Sequence, residues 1–298
     1  MKTKRTALDI GFDIFIYLFF ALFTLACVFP FYYIFINTIS ANDVVARGAV
    51  TLIPKGIHGE NYLNVLKMRA LPMALFVTLS RTVLGTGLSV ACTAWVSYAV
   101  SRRELRLRKF VYRFFIVTMY FNAGLIPWYL NMQRLHLNNN FLVYIIGVIS
   151  AFNLILVKTY IESIPESLEE SAEIDGAGYL LRFSRIILPL SKPILATIAV
   201  FTAVGHWNSF MDTLMLVQDS RLYTLQYLLW SYLNQANAIA RSIQSMAAQG
   251  VAVDPSALLT PTAVKMTIAM IVTLPVLFVY PFFQKYFVRG IMIGAVKG

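Results

Sequence analysis

Six runs of about 20 or more mainly apolar residues divide this sequence and constrain its fold more than any other feature. An α-helix needs about 20 apolar residues to cross the hydrocarbon core of a bilayer. We place the predicted spans at residues 10–39, 73–100, 111–130, 141–160, 193–217 and 261–286. Continuous apolar runs favour helices over the alternating segments of a membrane β-barrel. The sequence therefore predicts an all-α polytopic membrane protein with six transmembrane helices in a single domain.

The composition supports a lipid environment. Hydrophobic residues make up 58% and charged residues 13% of the 298 positions, whereas a soluble domain carries about a quarter charged residues. The two cysteines, Cys27 and Cys92, lie inside apolar runs and lack metal-ligand spacing, so we expect neither a disulfide nor a metal site. The first run is too long for a signal peptide and has no small-residue cleavage site, which predicts a retained helix.

Basic residues predict the orientation of the chain in the membrane. Fifteen Lys and Arg residues fall on the side that holds the N-terminus, and seven fall on the other side. Because cytoplasmic loops carry the excess of Lys and Arg, we expect both termini in the cytoplasm. The net charge of +11 lies mostly at span ends, where membrane anchoring accounts for it, and we expect no nucleic-acid partner.

The segment 163–188, on the cytoplasmic side between spans four and five, predicts two short helices that meet at Gly176. We expect Ser163 and Glu166 to form a capping box, and Pro189 to end the second helix. Ser191 is expected to cap span five. The first helix is amphipathic, with one apolar face and a solvated set of carboxylates: Glu166, Glu169, Glu170 and Glu173. Such a segment is either a docking projection or a plain connecting loop.

The order of residues favours docking. The stretch ESAEIDGA (170–177), followed by Ile187, Pro189 and Pro193, resembles the EAA loop of importer-type ABC transporter permeases, E-A-A-x-x-x-G-A and then I-x-L-P. Three further segments resemble the maltose-type carbohydrate permeases, and most closely their complex-oligosaccharide subfamily: NAGLIPWYL (122–130), AVGHWNSFMD (203–212) and VRGIMIGAVKG (288–298). The resemblance covers nearly the whole chain and implies the type I ABC importer permease fold, in the second of two permease subunits. It also implies that the chain lies in a bacterial cytoplasmic membrane.

The resemblance also implies roles for single residues. Glu170 would stand at the docking edge, Ala172 and Ala177 would allow close helix contact, and Gly176 would supply the bend. Ser171 replaces the commoner alanine, a small change in volume. Asp175 matches the sugar-importer version of the motif and is expected to cap the second helix.

The same resemblance implies partners and a division of labour. These are a second, non-identical permease, a dimer of ATP-binding subunits, and an extracytoplasmic binding protein that delivers an oligosaccharide. The chain has no G-x-x-x-x-G-K-[ST] loop, so we expect that it is not an enzyme and that ATP and Mg are bound by the partner ATPase. The expected substrate is a product of polysaccharide breakdown, including acidic uronides. An ion-coupled secondary transporter of a polar solute is the alternative.

Polar residues inside the spans are candidates for the substrate pathway, because lipid cannot satisfy their hydrogen bonds. The candidates are Arg81, Asn122, Trp207, Asn208 and Asp212, with His206 beside them. Helical spacing places Asn208 and Asp212 on one face. Two interpretations stay open for this group, sugar contact or a packing seam with the other permease. Arg81 either extends to the outer interface or lines the pathway.

Two regions flank this candidate pathway. In span three, Gly124 and Pro127 predict an interruption of the helix between Asn122 and Trp128. The extracytoplasmic loop 218–260 contains four aromatic residues and, in its latter half, many helix formers. It either reaches the binding protein or the substrate cavity, or forms an interfacial lid.

Overall fold

The computed structural model describes residues 7–147, 149–248 and 265–278, and these are mostly α-helical with no strand among them. The predicted all-α class is therefore confirmed for this part of the chain. The sequence divides into two compact units, residues 1–68 with 231–273 and residues 69–230 with 274–298. The candidate site residues all belong to the second unit.

The first unit begins with a long helix, α1 (Ala7–Thr38), which is long and apolar enough for the first predicted span. Two short helices follow, α2 (Asn42–Ala46) and α3 (Glu60–Leu66). Asn61 of α3 donates to the Thr38 carbonyl oxygen at 3.0 Å and to Asn42 Oδ1 at 2.9 Å. These bonds fix the end of α1 against the two short helices.

The second unit is built around α4 (Ala70–Ser101), which confirms the second predicted span. It packs against α7 (Ala151–Glu162) and α10 (Lys192–Asn208). Their core contains Tyr98, Val157 and Ile198. The other helices of this unit are α5 (Arg108–Tyr120), α6 (Leu125–Arg134), α8 (Ser167–Ile174), α9 (Tyr179–Leu190) and α11 (Met211–Leu216).

Predicted span three is interrupted where its glycine and proline predict. Helix α5 ends at Tyr120 and α6 begins at Leu125. Gly124 has φ 86°, in the left-handed region that glycine enters without strain. Its backbone N–H donates to Asn122 Oδ1 at 2.9 Å. The asparagine side chain thus satisfies a donor that the helix break leaves free.

Predicted spans four and five differ from continuous helices. Span four consists of a 3₁₀ turn (Phe141–Tyr144) and α7, and span five divides into α10 and α11. Two described helices, α1 and α4, are long and apolar enough to cross a membrane, and a third span results if α9 and α10, bent by 77°, count together. The number of six spans stays a prediction.

The last two helices of the described part of the chain are α12 (Leu225–Ala248) and α13 (Lys265–Phe278). Helix α12 confirms the helical character predicted for the latter half of the loop 218–260, as far as Ala248. Helix α13 covers the middle of predicted span six. The rest of that span, the tail 288–298 and residues 249–260 lie outside the described residues.

Candidate functional site

A helical projection, formed by α8, the turn at Gly176 and α9, is the first part of the candidate site. Gly176 has φ 81°. Its N–H donates to the Glu173 carbonyl oxygen, and the N–H of Ala177 donates to the Ala172 carbonyl oxygen, both at 2.9 Å. This pair of bonds is a Schellman motif, which needs a left-handed residue at the glycine position. The predicted bend at Gly176 is confirmed.

None of the three predicted capping side chains makes a cap hydrogen bond within the described residues. Ser163 Oγ donates back to the Tyr160 carbonyl oxygen at 2.7 Å instead of reaching a capping box. Asp175 lies at the C-terminal end of α8, and α9 begins only after Gly178. The Ser191 hydroxyl is buried and has no hydrogen-bond partner within the described residues. The N-caps of α8 and α9 are Glu166 and Gly178, three residues beyond the predicted Ser163 and Asp175. Helix α10 does begin directly after Ser191, so that position is confirmed although its hydroxyl makes no cap bond.

Pro189 does not end the second helix either. It lies inside α9, which continues to Leu190 after a π-helical turn at Phe183–Ile187. In a π turn each backbone N–H donates to the carbonyl oxygen five residues earlier, in place of the usual four. Ser191 then marks the 77° bend into α10.

The carboxylates of α8 divide into two groups. Glu169 is 5% exposed and pairs with Arg102 at 2.7 Å, although it was predicted to be solvated. Glu173 is exposed and pairs with Arg182 of α9 at 2.8 Å, so it connects the two helices of the projection. Glu166 and Glu170 are exposed, as predicted.

The outer surface of the projection is apolar as well as acidic. Ile174 is 87% exposed and Leu180 is 68% exposed, on either side of the Gly176 turn. Ser171 and Asp175 are exposed, whereas Ala172 and Ala177 are half-buried. Two large apolar side chains therefore lie uncovered by this chain beside the turn.

The second part of the candidate site is an open cavity of about 470 Å³, within the range of small-molecule sites. Its polar lining comprises Arg81, Ser89, Ser150, Asn153, Thr202, His206, Ser209 and Asp212, and its aromatic lining comprises Trp128, Tyr144 and Phe201. Aromatic faces beside hydrogen-bonding groups suit a sugar, whose rings present C–H patches and hydroxyls.

Arg81 and Asp212 form an ion pair in the wall of this cavity. The guanidinium donates to both carboxylate oxygens, with NH1 to Oδ1 at 3.2 Å and NH2 to Oδ2 at 2.5 Å. NH1 also donates to the Ser209 carbonyl oxygen at 3.2 Å, and the guanidinium carbon lies 4.5 Å from the centre of the Tyr144 ring. Arg81 is 2% exposed. The interpretation in which Arg81 extends to the outer interface is therefore wrong.

The ion pair also accounts for the break between α10 and α11. Helix α10 ends at Asn208 and α11 begins at Met211, so the argument that places Asn208 and Asp212 on one helical face is wrong. Asp212 Oδ1 accepts from Ser209 Oγ at 3.2 Å and from the Thr213 N–H at 2.9 Å. Arg81 and Asp212 together satisfy backbone groups that the interruption leaves unpaired.

The other three predicted pathway residues lie elsewhere in the described part of the chain. Asn122 is exposed in the break of span three, Asn208 is exposed at the end of α10, and Trp207 is buried. The lining of the cavity includes none of these three side chains among the residues that the structure describes. Trp128, which flanks the interruption of span three, does line the cavity.

Sequence reasoning missed a row of hydroxyls along the inward face of α4. They recur every three or four residues: Thr78, Thr82, Thr86, Ser89, Thr93, Ser97 and Ser101. Ser97 Oγ donates to the Leu154 carbonyl oxygen at 3.0 Å, and Thr78 Oγ1 accepts from the Leu225 N–H at 2.8 Å. The spacing within an apolar run is a signal that could have identified this face, since small residues let helices approach closely.

Gly85, on the same helix, lets α10 come close to the α4 backbone. A Cβ atom at Gly85 would lie 2.5 Å from His206 Nε2. The absence of a side chain therefore brings the imidazole of α10 onto the α4 backbone, next to the Arg81–Asp212 pair.

The segment that follows α11 contains an aromatic cluster. The rings of Tyr223 and Tyr227 are 4.6 Å apart, and Trp230 lies 5.9 Å from Tyr227 and from Phe210. Nearby, Arg221 donates from its side chain and backbone to the Asp219 carboxylate, which lowers the pKa of that group. Three of the loop aromatics thus pack on one another and on Phe210.

Comparisons with known proteins agree with this arrangement. Residues 3–293 match the family described as binding-protein-dependent transport system inner membrane component. The chain is 35% identical over 289 residues to the polygalacturonan/rhamnogalacturonan transport system permease protein YtcP of Bacillus subtilis (strain 168), covering 96% of this chain and 98% of that one. It is 34% identical over 272 residues to protein LplC of the same organism, covering 91% and 90%.

A solved structure is similar as well. One chain in the crystal structure of a bacterial ABC transporter involved in the import of the acidic polysaccharide alginate aligns with a TM-score of 0.83 at 31% identity. The alignment covers 96% of this chain and 100% of that chain.

Proposed function

Since the chain belongs to the family of binding-protein-dependent transport system inner membrane components, we propose that it is one of two non-identical permease subunits of an ATP-driven oligosaccharide importer. The family is a transport component and not an enzyme. Its similarity to permeases of polysaccharide-derived substrates supports the substrate class. The alternative, an ion-coupled secondary transporter, loses its support, because members of this family depend on a binding protein.

The helical projection carries the coupling part of the proposal. Ile174 and Leu180 expose apolar side chains beside a turn that Gly176 fixes, and this surface suits a groove on an ATP-binding subunit. We assign docking to Glu170, Ser171 and Asp175, which are exposed, and close packing to Ala172 and Ala177. ATP and Mg are bound by that partner, as a dimer of ATPase subunits.

The orientation follows from the same docking. The projection faces the cytoplasm, where ATP is available, and the excess of basic residues on the same side supports this orientation and cytoplasmic termini. An extracytoplasmic binding protein then delivers the oligosaccharide from the opposite side of the membrane.

The cavity carries the substrate part of the proposal. Trp128 offers an aromatic face for a sugar ring, and Asn153, His206 and Ser209 offer partners for hydroxyls. We keep Arg81 and Asp212 in the pathway and assign no sugar contact to Asn122, Trp207 or Asn208. The names of the relatives favour an acidic oligosaccharide.

Copurification tests the proposal. The tagged chain is isolated from native membranes in mild detergent, and its partners are identified by mass spectrometry. We expect a second permease and an ATP-binding subunit. The variant Gly176→Val should lose the ATP-binding subunit, because a β-branched residue is strained at φ 81°.

The matched control is Gly178→Val. Gly178 has φ −71° and open space where a Cβ would stand, so valine fits there. Recovery of the chain alone from wild-type membranes would contradict the proposed function. Equal recovery of the ATP-binding subunit with both variants would contradict the role of the projection.

A further inference from the structure

A buried ion pair joins the helical projection to the C-terminal end of α4. Glu169 of α8 lies 2.7 Å from Arg102, with side chains 7% and 19% exposed. The Tyr98 hydroxyl donates to Glu169 Oε2 at 3.3 Å, and the Arg102 guanidinium carbon lies 5.0 Å from the centre of the Tyr98 ring. Two side chains of one helix therefore hold one carboxylate of the projection.

The second helix of the projection contacts the same turns of α4. The Phe183 ring lies 5.0 Å from Trp95, edge to face, and 5.2 Å from Tyr98. Both α8 and α9 are thus attached to the last two turns of α4, one by charge and one by aromatic packing. The projection cannot shift relative to the membrane without moving α4 or breaking these contacts.

Helix α4 runs without interruption from this attachment to the cavity. It spans Ala70–Ser101, and Arg81 precedes Arg102 by 21 residues, which is about 30 Å along a helix at 1.5 Å per residue. Arg81 pairs with Asp212 in the cavity lining, as Arg102 pairs with Glu169 in the projection. One continuous helix therefore has an arginine–carboxylate contact with a different element at each of two distant sites.

We propose that Arg102 and Glu169 are positioning residues that transmit movement of the projection through α4 to the cavity. The inference rests on the proposed function, in which an ATPase moves the projection. Loss of one partner from a buried ion pair leaves an uncompensated charge, so the paired elements move together more readily than they separate. Such coupling requires one structural element whose position depends on both sites. Helix α4 is that element, because it contacts the projection at one end and lines the cavity further along.

The experiment follows a cysteine in the cavity while the ATPase changes state. Cys27 and Cys92 are replaced by serine, and Ser150→Cys places a thiol at an exposed position of the cavity lining. The whole importer is purified, and the rate of alkylation by a charged maleimide is measured without nucleotide and with ATP and vanadate. We expect the rate to change with nucleotide in this parent.

Glu169→Gln and Arg102→Gln are then expected to abolish the nucleotide-dependent change while the ATP-binding subunit still copurifies. The exchanged pair Arg102→Glu/Glu169→Arg should restore it, which a purely local loss of packing would not allow. The matched control is Glu162→Gln, because Glu162 pairs within its own helix with Lys158 at 2.7 Å and does not join two elements.

Three outcomes would overturn the inference. These are a change that persists in Glu169→Gln, an equal loss in Glu162→Gln, or a parent whose alkylation rate does not respond to nucleotide. Absence of the ATP-binding subunit from the parent preparation is a different failure, since it contradicts the proposed function on which the inference rests.

Discussion

Arg81 and Asp212, 131 positions apart in the sequence, form a two-point ion pair that joins α4 to the break between α10 and α11. Arg81 is nearly fully buried, so the Asp212 carboxylate and the Tyr144 ring stabilise its positive charge in place of water. The pair leaves the cavity with no net charge from these two residues. The Arg81 Nε–H has no hydrogen-bond partner within the described residues, so the guanidinium keeps one donor that this pair does not use.

Breaking this pair on one side should destabilise the protein strongly. Arg81→Met leaves Asp212 without its cation, and loss of one partner from a buried pair costs about 3–5 kcal/mol. The double variant Arg81→Met/Asp212→Leu should recover part of the loss, because both charges are then removed but the Ser209 carbonyl oxygen and the Thr213 N–H lose their partners. Thermal unfolding of the purified complex measures all three proteins.

The exposed pair of Arg221 and Asp219 provides the control. Arg221→Gln removes a surface ion pair and should leave the unfolding temperature unchanged. A similar loss of stability in Arg221→Gln and Arg81→Met would show that burial does not set the strength of the Arg81 contact.

Gly85 and Gly87 should respond in opposite ways to alanine. Alanine is favoured over glycine inside a helix by about 1 kcal/mol, and a Cβ at Gly87 meets nothing within 4 Å. The same change at Gly85 places the Cβ 2.5 Å from the His206 ring and forces that ring to move. We expect Gly87→Ala to raise the unfolding temperature and Gly85→Ala to lower it.

A second substitution separates this contact from a general effect on α4. His206→Ala removes the ring that the new Cβ would meet, so Gly85→Ala should no longer be destabilising in that background. If Gly85→Ala costs the same stability with and without His206, the close approach of α4 and α10 is not its cause.

The helical fold could be predicted largely from the sequence, because apolar runs and their glycines report local preferences. Helices α1 and α4 fall within a few residues of their predicted spans, and the interruption at Gly124 is confirmed. Span five was harder to predict, since its break at 209–210 is stabilised by a contact with a distant residue. Arg81 binding to the Ser209 carbonyl oxygen is that contact.

The sequence predicts those parts of the candidate site that depend on neighbouring residues, and not the contacts between distant ones. The bend at Gly176 follows from a glycine in a helical pattern, and it is confirmed. Burial of Glu169 could not be predicted, because its partner Arg102 is 67 positions away and its own neighbours look solvated. Arg81 and Asp212 are both candidates from the sequence, but their pairing could not be predicted, because no local pattern relates two residues 131 positions apart.

The apolar tip of the projection should be needed for the ATPase and not for folding. Ile174→Asp places a charge on a side chain that is 87% exposed, so the fold should tolerate it. An aspartate in a hydrophobic interface loses its hydration without a partner, which should remove the ATP-binding subunit from the purified complex. Pull-down with quantitative mass spectrometry measures this loss.

The matched control is Leu107→Asp. Leu107 is also a large, exposed aliphatic side chain, but it lies between α4 and α5, outside the projection. It should retain the ATP-binding subunit at the wild-type level. Loss of the subunit in both variants, or in neither, would contradict the docking assigned to the tip.

The cavity, finally, should set the apparent affinity for the sugar through Trp128. The ring lies in the lining with Asn153 and His206, and its removal takes away the apolar face on which a pyranose can stack. We expect Trp128→Ala to raise the concentration of oligosaccharide needed for half-maximal uptake, with little effect on assembly of the complex. Uptake of a radiolabelled oligogalacturonide into proteoliposomes that contain the whole importer provides the measurement.

Tyr120→Ala removes an exposed aromatic residue from the end of α5, outside the lining, and should leave this concentration unchanged. The comparison distinguishes sugar contact from a general need for aromatic residues at the membrane interface, where tryptophan and tyrosine are both favoured. If the two variants raise the concentration equally, Trp128 acts as an interfacial anchor. If Trp128→Ala alone lowers the maximal rate and leaves the concentration unchanged, the ring serves the transport step and not the binding of the sugar.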